Sequence, residues 1–416
     1  LLSYFIFKDY GISIDEDNVR IIGFLALEDA YNFFGLLLPE KINLILLNQT
    51  SHHVDAIPSS GPIFNLIMAL IEFFFNISDS QHQFYLRHFS TSLLFLLSSF
   101  FLFKIILIRY ESNSIAFLGL FFLIITPRIF SNSFYNSNDI IFLSFALINL
   151  FTFIVFFKNQ NFANSTVCAL TTALTINSRI FGVIFFLLII FTLLISILRT
   201  PNIKNKIIVL VNYIFFTFIF FVIFWPYLWT NPFQNLYLIF NSLNDHFLPI
   251  HIFFNNNFFY FKTVPWYYHL QWIFYTTPLP HILLFLLGLF FILKRFFFRL
   301  IKIEKNISYH DLWRGNKEAI DFIVILFLFV PLLFLIDSKK VSYGGWRHFF
   351  FIFPFIIIII CHSLYRIKIF IYKKKKIYFF ITFLILLTPS FLWMIKNHPY
   401  QDFYFNLLIN HKNIKN

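Results

Sequence analysis

Long apolar runs separated by short polar or charged stretches fill the chain from residue 88 to residue 394. In lipid a helix satisfies its own backbone hydrogen bonds, and about 20 apolar residues cross the hydrocarbon core. The runs at 88–108, 115–127, 140–157, 165–177, 180–198, 207–225, 268–293, 319–336, 348–364 and 377–394 therefore read as membrane spans. The sequence opens on Leu rather than Met, and "LLSYFIF" reads as the end of a further, clipped helix, which brings the count to about eleven. The runs at 165–177 and 180–198 are separated only by "NSR", so the first must be short or tilted.

Residues 9–86 follow a different pattern. After Ser13, the positions Val19, Ile22, Ala26, Ala30 and Phe33 fall on one helical stripe. The stretch 61–76, "GPIFNLIMALIEFFFN", carries Glu72 and two Asn and reads as a helix lying in the interface. The predicted architecture is an all-α, polytopic membrane protein, one domain over residues 1–416. It has a first external loop at 9–86 with interfacial helices and an external tail at 395–416.

Composition agrees with lipid as the main solvent: 59% hydrophobic residues, mean hydropathy +0.76, and 68 Phe against 10 Gly. Charge gives the orientation. The loops at 109–114, 158–164, 199–206, 294–318 and 365–376 hold 18 of the 32 Lys and Arg and are assigned to the cytoplasm. The net charge of +13 is mostly this bias, so no nucleic-acid partner is implied. Acids do the opposite, with ten of nineteen inside residues 9–79 and Asp139, Asp245, Asp337 and Asp402 on further external stretches. Chemistry is therefore expected at the outer face, beside membrane lipids. Cys168 and Cys361 lie far apart in apolar segments, which argues against a disulfide or zinc site. No cleavable signal peptide, phosphate-binding glycine loop or H-E-x-x-H motif is present.

In a chain only 12% charged, "SIDEDNVR" at 13–20 sets three acids, Asp15, Glu16 and Asp17, side by side. One reading is a capping box, Ser13 capping a helix and Glu16 returning the bond. The other makes Asp15 a base that takes a proton from a hydroxyl. Both can hold together, Glu16 as cap and Asp15 as base. In "TPRIFSNSFYNSNDIIF", 126–142, an outward loop, Arg128 reads as an anchor or a phosphate ligand, and Asp139 as a helix N-cap or a second acid. Arg179 stands in an outward turn, where arginines often meet an anion. Trp266, Tyr267 and Tyr268 read as an interfacial aromatic belt whose faces also suit sugars. Arg347 and His348 open a span from outside, and an arginine fork suits phosphate. "HHVD", with His52, His53 and Asp55, has some metal-ligand chemistry but reads as solvated surface.

Five motifs occur in order and all on outward segments: "DE" at 15–16, "PRIF…SFYN…D" at 127–139, "PWYY" at 265–268, "WRHFFFIFP" at 346–354 and the tail "NHPYQDFYFN" at 397–406. Over nearly its whole length the chain resembles the family 39 glycosyltransferases of the GT-C class, which include protein O-mannosyltransferases and lipid A aminoarabinose transferases. The resemblance implies inverting transfer of a sugar from a polyprenyl-phosphate donor to a glycan, lipid or protein acceptor. It puts Asp15 as base, Glu16 beside it, Asp139 as second acid, and Arg128, Arg179, Arg347 and His348 toward the donor phosphate. Trp266, Tyr267 and Tyr268 would line the substrate, no cofactor or metal is called for, and the setting is the bacterial inner membrane with an external active site. Two departures stand out: "GPIF" where a proline-rich stretch is expected, and Gly344 where an acid usually stands. The rival class is a lipid-linked sugar flippase or transporter, but the spans are nearly free of charge and show no internal repeat.

Overall fold

The computed structural model describes residues 2–13, 15–47, 61–198, 203–245, 251–260, 263–301, 312–338, 344–372 and 376–408. In chain order the helices are α1 (Leu2–Ile6), α2 (Glu16–Phe33), α3 (Glu40–Leu47), α4 (Ile63–Phe74), α5 (Ser80–Tyr110), α6 (Asn113–Ile124), α7 (Pro127–Tyr135), α8 (Asp139–Lys158) and α9 (Phe162–Ser178). There follow α10 (Val183–Ile197), α11 (Ile203–Ile223), α12 (Tyr227–Thr230), α13 (Pro232–Asp245), the strands β1 (His251–Phe254) and β2 (Asn257–Tyr260), and α14 (Tyr268–Thr276). The chain continues through α15 (Leu279–Ile301), α16 (Asn316–Ser338), α17 (Phe353–Tyr372) and α18 (Lys376–Lys396).

Among the described residues, seven helices are long and apolar enough to cross a membrane, eight if the α6–α7 pair counts as one span. This is an all-α, polytopic membrane protein. Every apolar run named from the sequence contains a helix, with three differences. The run at 268–293 divides into α14 and α15 around Thr277–Pro278, where proline removes a backbone donor. The stretch 126–142 is not one loop: α7 occupies Pro127–Tyr135, turning 69° from α6, and α8 begins at Asp139. And an antiparallel hairpin joins α13 to α14, its turn made by Asn255 and Asn256 at φ 48° and 62°. Asparagine tolerates such angles, and two positive values in succession suit the twist of a hairpin.

The chain clusters into two compact units, residues 1–96 with 133–248 and residues 97–132 with 249–416. In the first, α2 packs on α3 and α4 through Phe24, Leu27, Ile42, Leu46 and Ala69. The buried stripe of α2 is rotated from the one expected: Val19 and Ala26 are inside, but Phe33 is 47% exposed and packs edge-on against Trp229. Gly23 permits the approach to α4, because a Cβ there would lie 2.2 Å from the Asn65 carbonyl oxygen. Gly61 is explained in the same way. Its Cβ would fall 1.8 Å from the Asn177 carbonyl at the end of α9, so the departure at "GPIF" is a close contact that only glycine fits.

Helices α8, α9 and α11 are joined by side-chain bonds suited to an apolar medium, Asn149 to Thr172, Thr152 to Thr171 and Thr172 to Tyr213. In the second unit, Gly288 lets α15 meet α17. Asp321 on α16 takes both forks of Arg109 at 2.6 Å and Arg295 at 2.7 Å, tying α5, α15 and α16 together at the ends expected to be cytoplasmic. Two guanidinium groups on one buried carboxylate offset the desolvation of all three.

Candidate functional site

The acids at 15–17 start α2, and each has a different environment. Asp15 occupies the N-cap, half-buried, with no side-chain capping bond, and its carbonyl accepts from Val19 N at 2.9 Å. Asp17 is exposed. Glu16 is 2% exposed and turns inward, its carboxylate oxygens 3.0 and 3.2 Å from His88 Nε2. The expected capping box therefore does not form. Ser13 offers only its backbone carbonyl to Glu16 N, at 3.1 Å, and Glu16 is spent on a partner in α5.

One turn further along α2, Arg20 donates to Glu72 at 2.9 Å, and Arg87 reaches the other oxygen of Glu72 at 2.8 Å and Asn65 at 3.2 Å. All of these side chains are buried. Two guanidinium groups and the carboxylates of Glu16 and Glu72 balance in charge, which makes so dense a cluster tolerable inside the fold. Of the polar residues that marked 61–76 as interfacial, Glu72 and Asn65 are turned inward, clamping α4 to α2 and α5, whereas Asn76 is exposed.

In the same unit Tyr10 stacks on Phe134 at 4.6 Å, close to the start of α8. Asp139 is the first residue of α8 and not its cap, which is Asn138. Asn136 donates to Asp139 Oδ2 at 2.8 Å and accepts from Asp139 N at 3.0 Å, doing the capping that had been assigned to the acid. Arg179, in extended backbone after α9, forms an ion pair with Asp139 and lies 3.4 Å from Asn138 Oδ1. The anion Arg179 meets here is the protein's own Asp139, which the sequence had set apart from it as a separate site.

The second unit gathers the other cations. Gly344 and Gly345 turn at φ 69° and 70°, left-handed values that glycine adopts without strain. A Cβ on Gly344 would lie 2.7 Å from Arg347 Nε, and one on Gly345 3.9 Å from Arg128 Nη1, so both guanidinium groups border the one turn. This accounts for Gly344 where an acid was expected. His348 is buried beside them in sequence.

The turn itself is held by Tyr268, whose hydroxyl accepts from Gly345 N at 3.2 Å, and by His269, whose Nδ1 donates to the Gly345 carbonyl at 3.0 Å. Trp346 donates to Thr276 at 2.7 Å. Burial lowers the pKa of His269 to about 4, against a smaller opposing effect of the Gly345 carbonyl. The Arg128 guanidinium lies 5.2 Å from the Trp272 ring and 5.4 Å from the Phe405 ring, which contact each other, and Asn132 links the Arg128 carbonyl to Asp402. The three belt aromatics separate: Trp266 and Tyr267 are exposed, at 63% and 40%, whereas Tyr268 is buried and structural. "HHVD" lies outside the described residues.

Sequence reasoning missed His88, Tyr10, Asn136, Trp272 and Phe405. Only "RH" at 87–88, polar residues at the mouth of an apolar run, gave a signal that could have been followed.

The fold is that of an all-α, polytopic membrane protein, and it is similar to solved membrane enzymes. Residues 61–225 match the model of the dolichyl-phosphate-mannose-protein mannosyltransferase family, so the chain is mannosyltransferase-like over that segment. The match takes in Arg87, His88, Arg128, Asp139 and Arg179, and neither Asp15 nor Arg347. Among solved structures it is similar to the oligosaccharyltransferase of Archaeoglobus fulgidus in its apo form. Identity is 11% and TM-score 0.56, over 83% of this chain and 48% of that one. It is also similar to the oligosaccharyltransferase AglB from the same organism in complex with an inhibitory peptide and a dolichol-phosphate. Here identity is 12% and TM-score 0.53, over 84% and 48%. The chain spans about half the length of these structures. No curated protein matches.

Proposed function

We propose that this protein transfers a sugar from a polyprenyl-phosphate donor to an acceptor hydroxyl at the outer face of the membrane. Asp15 accepts the hydroxyl proton, the acceptor oxygen attacks the anomeric carbon from the face opposite the leaving phosphate, and configuration inverts. The observation that carries this reading is the setting of Asp15. It stands at the start of α2, half-exposed, next to Glu16 and about one turn from Arg20, both of which are held in buried ion pairs. The motif order seen in the sequence and the family match over 61–225 support the same reaction class. The dolichol-phosphate in an archaeal neighbour supports a lipid-linked donor.

Departing phosphate needs positive charge that stays fixed while the bond breaks. Arg347 and Arg128 border a glycine turn braced by Tyr268 and His269, and their guanidinium groups are the proposed partners of that phosphate. Trp266 and Tyr267 present exposed rings for sugar or lipid. The bacterial inner membrane, with the acids outward and the basic loops in the cytoplasm, is the proposed setting.

The test is transfer from a radiolabelled polyprenyl-phosphate sugar by purified protein in detergent. Product with inverted anomeric configuration is expected from the wild type and not from Asp15→Asn. Donor translocation in vesicles without any transfer would overturn the reading in favour of a flippase.

A further inference from the structure

His88 has no part in the chemistry above, yet it sits where the start of α2 is decided. Its ring is 1% exposed. Nε2 faces both oxygens of Glu16, at 3.0 and 3.2 Å, while Nδ1 faces the Phe7 carbonyl at 3.4 Å. Phe7 and Glu16 flank the connector that leads into α2 and ends on Asp15. One imidazole therefore spans the base of this connector, holding its entry by a backbone oxygen and its exit by a side chain.

The neighbours of the ring are held by buried ion pairs and ring contacts. Arg87, the preceding residue, is fixed by Glu72 and Asn65, and Arg20, one helical turn beyond Glu16, is fixed by Glu72 as well. Within the connector, Tyr10 is stacked on Phe134 and 5% exposed. A carbonyl and a carboxylate both accept, so each of these contacts needs an imidazole N–H as its donor. Loss of the ring would leave Glu16 buried without its donor and detach the entry of the connector from α5.

From this geometry we infer that His88, acting through Glu16 and the Phe7 carbonyl, is the positioning residue for Asp15. The inference rests on Asp15 being the base. It makes Glu16 a structural carboxylate that carries no proton for the reaction. A base must stand within hydrogen-bond reach of the hydroxyl it deprotonates, and about 1 Å of misplacement costs roughly a hundredfold.

Three variants separate positioning from packing. His88→Leu removes both donors and keeps the bulk. His88→Gln carries an amide N–H close to the Nε2 position and can still reach Glu16. His88→Asn carries one close to Nδ1 and can reach Phe7. For monodisperse protein we expect His88→Leu to lower kcat by roughly ten- to a hundredfold while KM for the donor moves by less than about threefold. His88→Gln should recover most of the loss and His88→Asn less.

Amide hydrogen exchange across residues 8–18 supplies a readout independent of turnover. It should accelerate in His88→Leu and return toward the wild type in His88→Gln. Wild-type kcat in folded His88→Leu, or unchanged exchange across 8–18, would overturn the inference. Failure of the underlying reading has its own signature, an Asp15→Asn protein as active as the wild type, and the exchange measurement stands whether or not transfer is seen.

Discussion

At the scale of single residues, the three adjacent acids were conspicuous because carboxylates are scarce, but their division of labour was not legible. Glu16 and His88 are 72 positions apart, and no local pattern links them. The same holds for Asp139 and Arg179, which the sequence placed on separate segments and the fold joins. Replacement of Asp15 by Asn keeps size and much of the hydrogen bonding but removes the proton acceptor. Turnover should fall roughly a hundredfold or more with expression intact, as read by transfer assay and size-exclusion profile. Ser13→Ala should be nearly silent, within about 0.5 kcal/mol by thermal unfolding, because Ser13 contributes its backbone carbonyl to α2 and not the capping bond first expected. A loss of ~1 kcal/mol would restore the capping box. Among the arginines, Arg347→Lys should raise KM for the donor more than Arg179→Lys does, since a point charge replaces a fork at the proposed phosphate seat. Donor KM moved more by Arg179→Lys would shift that seat to the α8–α9 end.

Elements were far easier to foresee than sites, since length and unbroken apolarity are enough to place a helix in lipid. What escaped were breaks imposed by chemistry of one or two residues. Pro278 cuts an apolar run that hydropathy alone leaves whole, and α7 looked like a loop because Asn and Ser crowd a sequence whose backbone is helical. The rotated stripe of α2 has a comparable cause. Arg20, Glu16 and Gly23 face the interior, and a pattern built on apolar residues cannot count them. Gly23 is the element-scale test of that face. Alanine there would raise helix propensity by about 1 kcal/mol, yet its Cβ would meet the Asn65 carbonyl at 2.2 Å. Overpacking should prevail, with a net loss on the order of 1–3 kcal/mol in thermal or denaturant unfolding. Stabilisation by Gly23→Ala would mean that α2 and α4 are not in the close contact described.

For the molecule as a whole, two titrating groups outside the spanning helices, one in each unit, pull acid stability in opposite directions. In the second unit burial holds His269 at about 4, below its ordinary 6.5. Between those values the unfolded chain binds a proton that the folded chain refuses, so stability falls as pH drops from 6.5 toward 4, by up to ~3 kcal/mol. In the first unit burial, aided by Glu28, raises Asp29 from 3.8 to about 6. There the folded chain binds the proton first, and stability rises as pH drops through 6, by an amount that partial exposure reduces. Thermal unfolding in detergent at pH 4.5 and 6.5 separates them. His269→Gln, which can keep a donor toward the Gly345 carbonyl, should lose less stability on acidification than the wild type. Asp29→Asn should lose more, and the double variant should return toward the wild-type difference. Equal acid shifts in wild type and His269→Gln would show that the glycine turn bordered by Arg128 and Arg347 is not held by a neutral, buried imidazole, and the proposed phosphate seat would lose its brace.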